Sequence, residues 1–95
     1  MEEKERIIAL YNLYGNLLSE TSRYNFEDYY LNNLSLSEIA ENSEVSRTAI
    51  HKSIKATETK LNYYEDKLKI YEKKNKLLEI LDKSNLDQDK INELF

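Results

Sequence analysis

Six polar residues in one short stretch carry the chemistry most directly readable in this chain: Ser46, Arg47, Thr48, His51, Lys52 and Lys55. On a helix that opens at Ser46 they would point away from Ile50 and Ile54. The planar fork of Arg47 matches a guanine edge or a pair of phosphate oxygens. Thr48 and His51 have the reach and polarity to meet base edges. Lys52 and Lys55 suit phosphates, contacts that position without specifying. Ser46 would bring the helix N-terminus, with its free amides, toward a phosphate. The plainer alternative is that the six are ordinary polar cover on a stable three-helix unit, and the residues by themselves leave both readings open.

Other chemistry finds no support. His51 is the only histidine and cysteine is absent, so no ligand cluster or nucleophile–base pair is spelled out. Glu65 and Asp66 are adjacent carboxylates, but neighbours on a helix point in different directions, so they read as a solvated face. There is no glycine-rich phosphate loop. Eight tyrosines could stack on unpaired RNA bases, yet most fall at helical core spacing, and tyrosine suits a half-buried edge where its hydroxyl stays wet. The expectation is a protein with no catalytic site, no metal and no cofactor.

The elements that must position the six residues follow from periodicity. A first helix is expected over residues 3–18, with Ile7, Leu10, Leu13 or Tyr14, Leu17 and Leu18 as its apolar stripe and Ile8 and Tyr11 widening it. Gly15 inside it allows a close helix crossing or is simply tolerated. A second runs from Thr21 to Leu31, capped by Ser19 or Thr21, with Phe26, Tyr29 and Tyr30 inward and Asn32 and Asn33 at its end. A third, Leu36 to Asn42, opens with Ser35 and Glu38 in the spacing of a capping box. After a turn at Asn42, Ser43 and Glu44, a fourth helix starts at Ser46.

The stretch Leu34–Ile54 has the pattern of a helix-turn-helix. Ala40 is small where the two helices would cross, Val45 is placed to plug the turn, and Ile50 and Ile54 anchor the second helix on Ile39. In such a motif the N-terminal part of the second helix enters the major groove. Two features weigh against it: the turn lacks the glycine that takes left-handed backbone easily, and Glu38, Glu41 and Glu44 bring negative charge that either repels phosphate or faces away from it. The fourth helix then looks long. Ile50, Ile54, Thr57, Leu61, Tyr64, Leu68 and Tyr71 recur at alternating spacings of four and three, a heptad that packs back on the first helix or against a second subunit, with a break near Asn62 left open. Leu61, Tyr64, Leu68 and Tyr71 are the expected dimer contacts. Leu77, Leu78 and Leu81 form a further stripe, Lys83–Asn85 reads as a turn, and a last short helix from Asp87 would carry Ile91, Leu94 and Phe95.

Composition bounds these readings. The 95 residues make one modest domain, with no proline, one glycine and a net charge of −4. That balance argues against strong non-specific DNA binding. Between residues 46 and 60, however, Arg47, Lys52, Lys55 and Lys60 face only Glu58, a local balance of +3 that could serve as a phosphate-touching face or a solvated one. No apolar run nears the roughly 20 residues of a membrane span. The acidic start, Met1 to Arg6, is unlike a secretory signal, and the expected location is the cytoplasm.

Tyr11–Glu20, Asp28–Leu31, Leu34–Glu41 and Val45–Ile54, continued by Thr57, Glu58 and Leu61 to Leu68, resemble the YlxM-like helix-turn-helix proteins of Gram-positive bacteria and mycoplasmas over nearly the whole chain. The pattern Leu36–Ala40, Val45, Ser46 and Arg47 is also similar, more weakly, to the DNA-reading C-terminal domain of bacterial sigma factors. That resemblance implies a recognition helix carrying Arg47, Thr48, His51 and Lys52. The genes of the YlxM-like family lie beside those for the signal recognition particle protein and its receptor, which implies a partner in that pathway.

Together these readings give an all-α protein, a helix-turn-helix within a small bundle followed by a long helix. Residues 1–75 would be a sigma-factor-like domain and 76–95 a helical tail, mobile or interface-forming. The leading function is DNA-binding regulation as a homodimer. The alternative is a scaffold that contacts signal recognition particle RNA, protein or receptor without binding DNA.

Overall fold

A computed structural model describes residues 3–84 and residue 93. Among them the chain is helical, with no strand: α1 (Glu3–Tyr14), α2 (Glu20–Phe26), α3 (Leu36–Ser43), α4 (Arg47–Leu68) and α5 (Ile70–Ser84). The all-α class expected from the sequence is the observed one. α4 is the spine, packed on α1, α2 and α3, and the molecule is elongated, 52 × 25 × 22 Å.

Two departures from regular α-geometry turn side chains away from their expected faces. α1 tightens into a 3-10 turn over Gly15–Leu17. Ile7, Leu10, Tyr11, Tyr14 and Leu18 are buried, but the changed phase sends Leu17 outward, 58% exposed. A Cβ at Gly15 would lie 3.1 Å from the Tyr11 ring. That ring has little room to yield, being stacked on Phe26 at 4.4 Å with its hydroxyl 3.0 Å from Glu27. α2, capped by Ser19 through the Ser22 amide, widens into a π-turn over Glu27–Leu31. The Asn32 amide reaches five residues back to the Glu27 carbonyl. The extra residue in the turn leaves Tyr29 exposed while Tyr30 stays against Phe26. Asn33 takes the left-handed backbone expected of it, with φ 58°.

The larger core joins Ile7, Leu10, Tyr11, Tyr14, Leu18 and Phe26 to Leu61 of α4, flanked by Tyr64, Ile70 and Tyr71. Fully burying a side chain of leucine size contributes about 1.5–3 kcal/mol. Glu65, expected on a solvated face, belongs to this core at 7% exposure, while Asp66 beside it is exposed. Tyr14 donates to Glu65 Oε1 at 2.6 Å, and the amides of Tyr71 and Glu72 donate to Oε1 and Oε2 at 3.0 and 3.1 Å. The Ile70 amide donates to the Tyr14 hydroxyl at 3.2 Å. Two side chains thus satisfy the first three amides of α5, donors that a helix cannot pair internally.

The long heptad is therefore carried by two helices. α4 stops at Leu68, Lys69 turns the chain with φ 53°, and Tyr71 lies on α5. The break falls at Lys69 and not near Asn62, because the Glu65 carboxylate offers α5 a new start. α5 runs unbroken across residues 75 and 76, and Lys83 and Ser84 are still helical. The short helix expected from Asp87, with Ile91, Leu94 and Phe95, lies outside the described residues.

The Tyr14 hydroxyl is pushed up to about 12, by burial first and by its bond to Glu65 second. An unfolded tyrosine releases its proton near 10, so this contribution to stability is complete below pH 10 and is lost as pH rises through 12. A shift of this size corresponds to roughly 3 kcal/mol. Urea titrations between pH 8 and 12 should show that loss. Tyr14→Phe should be less stable by about 1–3 kcal/mol at neutral pH, where the Ile70 amide loses its acceptor, and should lose less on going alkaline. Tyr30, also raised to about 12, should keep its own share.

Glu44 is left-handed with φ 56°. Its amide and that of Val45 donate to the carbonyls of Glu41 and Ala40, closing α3 in the Schellman manner that glycine normally serves. Glu44→Gly should therefore raise stability by about 1 kcal/mol, read as a higher urea midpoint at unchanged slope.

Candidate nucleic-acid interface

α3 and α4 are locked by Ile39, Ala40, Ile50 and Ile54, all buried, with Tyr30, Leu34 and Leu36 around them. The ends of both helices are satisfied locally. Ser35 and Glu38 exchange the two bonds of a capping box at 3.1 Å each, and Ser46 Oγ accepts from the Ala49 amide at 3.0 Å. Val45, expected to plug the turn, is 47% exposed. Its contribution is the backbone bond to Ala40, because left-handed Glu44 turns its side chain out of the wedge.

All six expected contact residues, Ser46, Arg47, Thr48, His51, Lys52 and Lys55, are exposed. At about 100° per residue, Arg47, Thr48, His51, Lys52 and Lys55 occupy an arc of about 140° on α4. The buried stripe of Ile50, Ile54, Thr57 and Leu61 fills an adjoining arc of about 60°, with Ile54 about 20° from Arg47. Arg47, Thr48 and His51 surround a shallow recess of about 240 Å³ whose apolar wall is Leu36. Ser46 is placed at the helix entrance, with its side chain already committed to the cap.

The face is less uniformly basic than its composition suggests. Lys55 is paired with Glu58 at 3.5 Å, and Glu58 also faces the Tyr30 hydroxyl. Among the described residues, Arg47 and Lys52 take part in no ion pair. Of the three acidic residues that weighed against the motif, Glu38 accepts from the Ser35 amide in the capping box and Glu44 closes the turn through its backbone, and all three are exposed.

The expected dimer contacts are divided. Leu61 is completely buried within the protomer, where it completes the core beneath Tyr14 and Phe26, and so presents nothing to a second subunit. Tyr64 and Tyr71 are half-buried against that core. Leu68 remains 46% exposed. A larger recess of about 540 Å³ lies at the corner of α4 and α5, away from Arg47, Thr48 and His51. Its charges, such as Lys69 and Lys76 with Glu72, pair with one another and present no single sign. Among the described residues no group of three histidine, aspartate or glutamate side chains could hold a metal, and no helix is long and apolar enough to cross a membrane.

Two positioning residues escaped the sequence reading. Asn25 on α2 is buried and donates to Ser53 Oγ at 3.0 Å, pinning the roll of α4 and so the direction of its exposed polar arc. Nothing in the local pattern marks this pair, since it spans two helices. Glu65 did leave a signal: it follows Leu61 by four residues, as good a core spacing as that of Tyr64. Ser53→Ala should leave the buried Asn25 amide unpaired and cost about 1–3 kcal/mol in urea unfolding, whereas the exposed neighbour Lys52→Ala should change stability little.

The family described as "Putative helix-turn-helix protein, YlxM / p13 like" matches residues 1–94. A UPF0122 protein of Malacoplasma penetrans is 53% identical over 60 residues, 63% of this chain and 56% of that protein. A relative in Symbiobacterium thermophilum is 37% identical over 83 residues, 87% of this chain and 78% of its own. One in Bacillus thuringiensis is 43% identical over 65 residues, covering 68% and 59%. The chain thus spans little more than half the length of the Malacoplasma and Bacillus relatives.

Proposed function

Because this chain belongs to the YlxM/p13-like helix-turn-helix family, we propose that it binds double-stranded DNA through the exposed face of α4 and acts as a non-enzymatic regulator. The observation that carries the reading is the separation of faces on α4. One arc is spent on Ile50, Ile54 and Leu61, and the adjoining exposed arc presents Arg47, Thr48, His51 and Lys52 together, with Arg47 and Lys52 engaged in no ion pair among the described residues. Arg47 is assigned to a base edge or its flanking phosphate, Thr48 and His51 to base edges, and Lys52 and Lys55 to phosphates. Leu36 gives the recess an apolar wall suited to a thymine methyl group. The Lys55–Glu58 pair predicts that Lys55 contributes less than Lys52.

A homodimer fits this function because two such helices can address successive turns of the major groove. With Leu61 enclosed, Leu68 and the exposed Tyr63 are the apolar positions left at the end of α4 for a second copy. The cytoplasm is the compartment in which such a protein would meet DNA.

Fluorescence anisotropy with random and genomic duplexes tests the reading. Binding should weaken steeply with salt, and Lys52→Ala should lower affinity similarly on all sequences while reducing the salt slope by about one. Arg47→Ala should lose about 10-fold or more on a preferred sequence. Absence of binding at micromolar protein in low salt overturns the proposal. Capture of signal recognition particle components that is unchanged by Arg47→Ala and Lys52→Ala would favour the scaffold reading in its place.

A further inference from the structure

We propose that the joint at Lys69 is a two-position hinge, at which α5 either lies bent onto α1, as seen, or continues α4 as one straight helix. The inference is independent of the DNA reading and rests on how little separates the two forms. The bonds on either side of the joint are already those of a continuous helix: Lys69 donates to the Glu65 carbonyl at 2.8 Å, and Lys73 to the Lys69 carbonyl at 3.0 Å. Only the amides of Ile70, Tyr71 and Glu72 have other acceptors, the Tyr14 hydroxyl and the two oxygens of Glu65. In a straight helix those three amides would find the carbonyls of Asp66, Lys67 and Leu68, four residues back. Every donor is satisfied in both forms.

Local preference favours the straight form. Residues 66–75 contain neither glycine nor proline. Lys69 holds left-handed backbone, φ 53° and ψ 32°, a conformation that a residue with a Cβ adopts at a cost. The spacing of Leu61, Tyr64, Leu68 and Tyr71, extended by Leu78 one heptad further, runs through the joint as though it were helical. The bent form is held by the local cap that Glu65 gives the Tyr71 and Glu72 amides, by the Tyr14–Glu65 clasp and by the packing of Ile70 and Tyr71 on the α1 core, with Leu81 of α5 also buried. A conflict between local and long-range preference confined to one residue is what a two-state element requires. Straightening would uncover Tyr14 and its apolar neighbours and carry the arm away from α1.

The chain has no cysteine, so spin labels can be placed at Thr59→Cys and Glu79→Cys, both exposed in the bent form. Twenty residues of straight helix separate these sites by about 30 Å of rise, and any bend shortens the distance. The parent should show mainly the shorter distance. Glu65→Ala should raise the population near the straight-helix distance several-fold with helicity retained by circular dichroism. Lys69→Gly, which relieves the left-handed residue, should return that variant to the shorter distance. Tyr14→Phe gives the same reading in milder form if Glu65→Ala does not fold. An unchanged distance after the clasp is removed, a broad distribution with lost helicity, or indifference to Lys69→Gly overturns the proposal.

Discussion

Ile50, Ile54, Thr57, Leu61 and Glu65 lie along one side of α4, and each is buried. The first two close the small wedge with α3, and Leu61 and Glu65 close the larger core with α1 and α5. A 95-residue chain has little interior to spend, and here two modest cores share one helix. Everything else is placed relative to that stripe. The polar arc of Arg47, Thr48, His51 and Lys52 is left to solvent because the stripe takes the helix inward, and α5 starts where the last member of the stripe offers it a carboxylate.

This sharing decides what each polar group can do. Glu65 is tolerated in the interior because both of its oxygens accept hydrogen bonds, one from a tyrosine hydroxyl and two from backbone amides. Asn25 is tolerated for a similar reason, with Ser53 as its acceptor. Both are buried polar residues that orient a helix: Asn25 sets the roll of α4 in its N-terminal part, and Glu65 sets the direction of α5 at the other end. Arg47 and Lys52 are exposed and take part in no ion pair among the described residues, and Glu38 is held in the capping box of α3.

The proposed DNA reading and the hinge occupy opposite ends of α4, which spans about 33 Å at 1.5 Å per residue. Movement of α5 would therefore leave the wedge of Ile39, Ala40, Ile50 and Ile54 in place while changing what the far end presents. The exposed Leu68 and Tyr63 sit at that far end, so the position of the arm bears on any contact with a second copy.

Local chemistry was legible in the chain itself. The capping box at Ser35 and Glu38, the cap at Ser46, the wedge residues Ile39, Ala40, Ile50 and Ile54, and the exposure of the six polar residues all follow from spacing, because capping and amphipathicity act within a few residues. Val45, Leu17 and Tyr29 departed from their expected places because a left-handed residue, a 3-10 turn or a π-turn changes the phase of a helix without a strong compositional mark. The enclosure of Leu61, the burial of Glu65 and the break at Lys69 were decided only in three dimensions. Each depends on Tyr14 arriving from about fifty residues away, and a heptad stripe does not say whether its partner is α1 of the same chain or a helix of another.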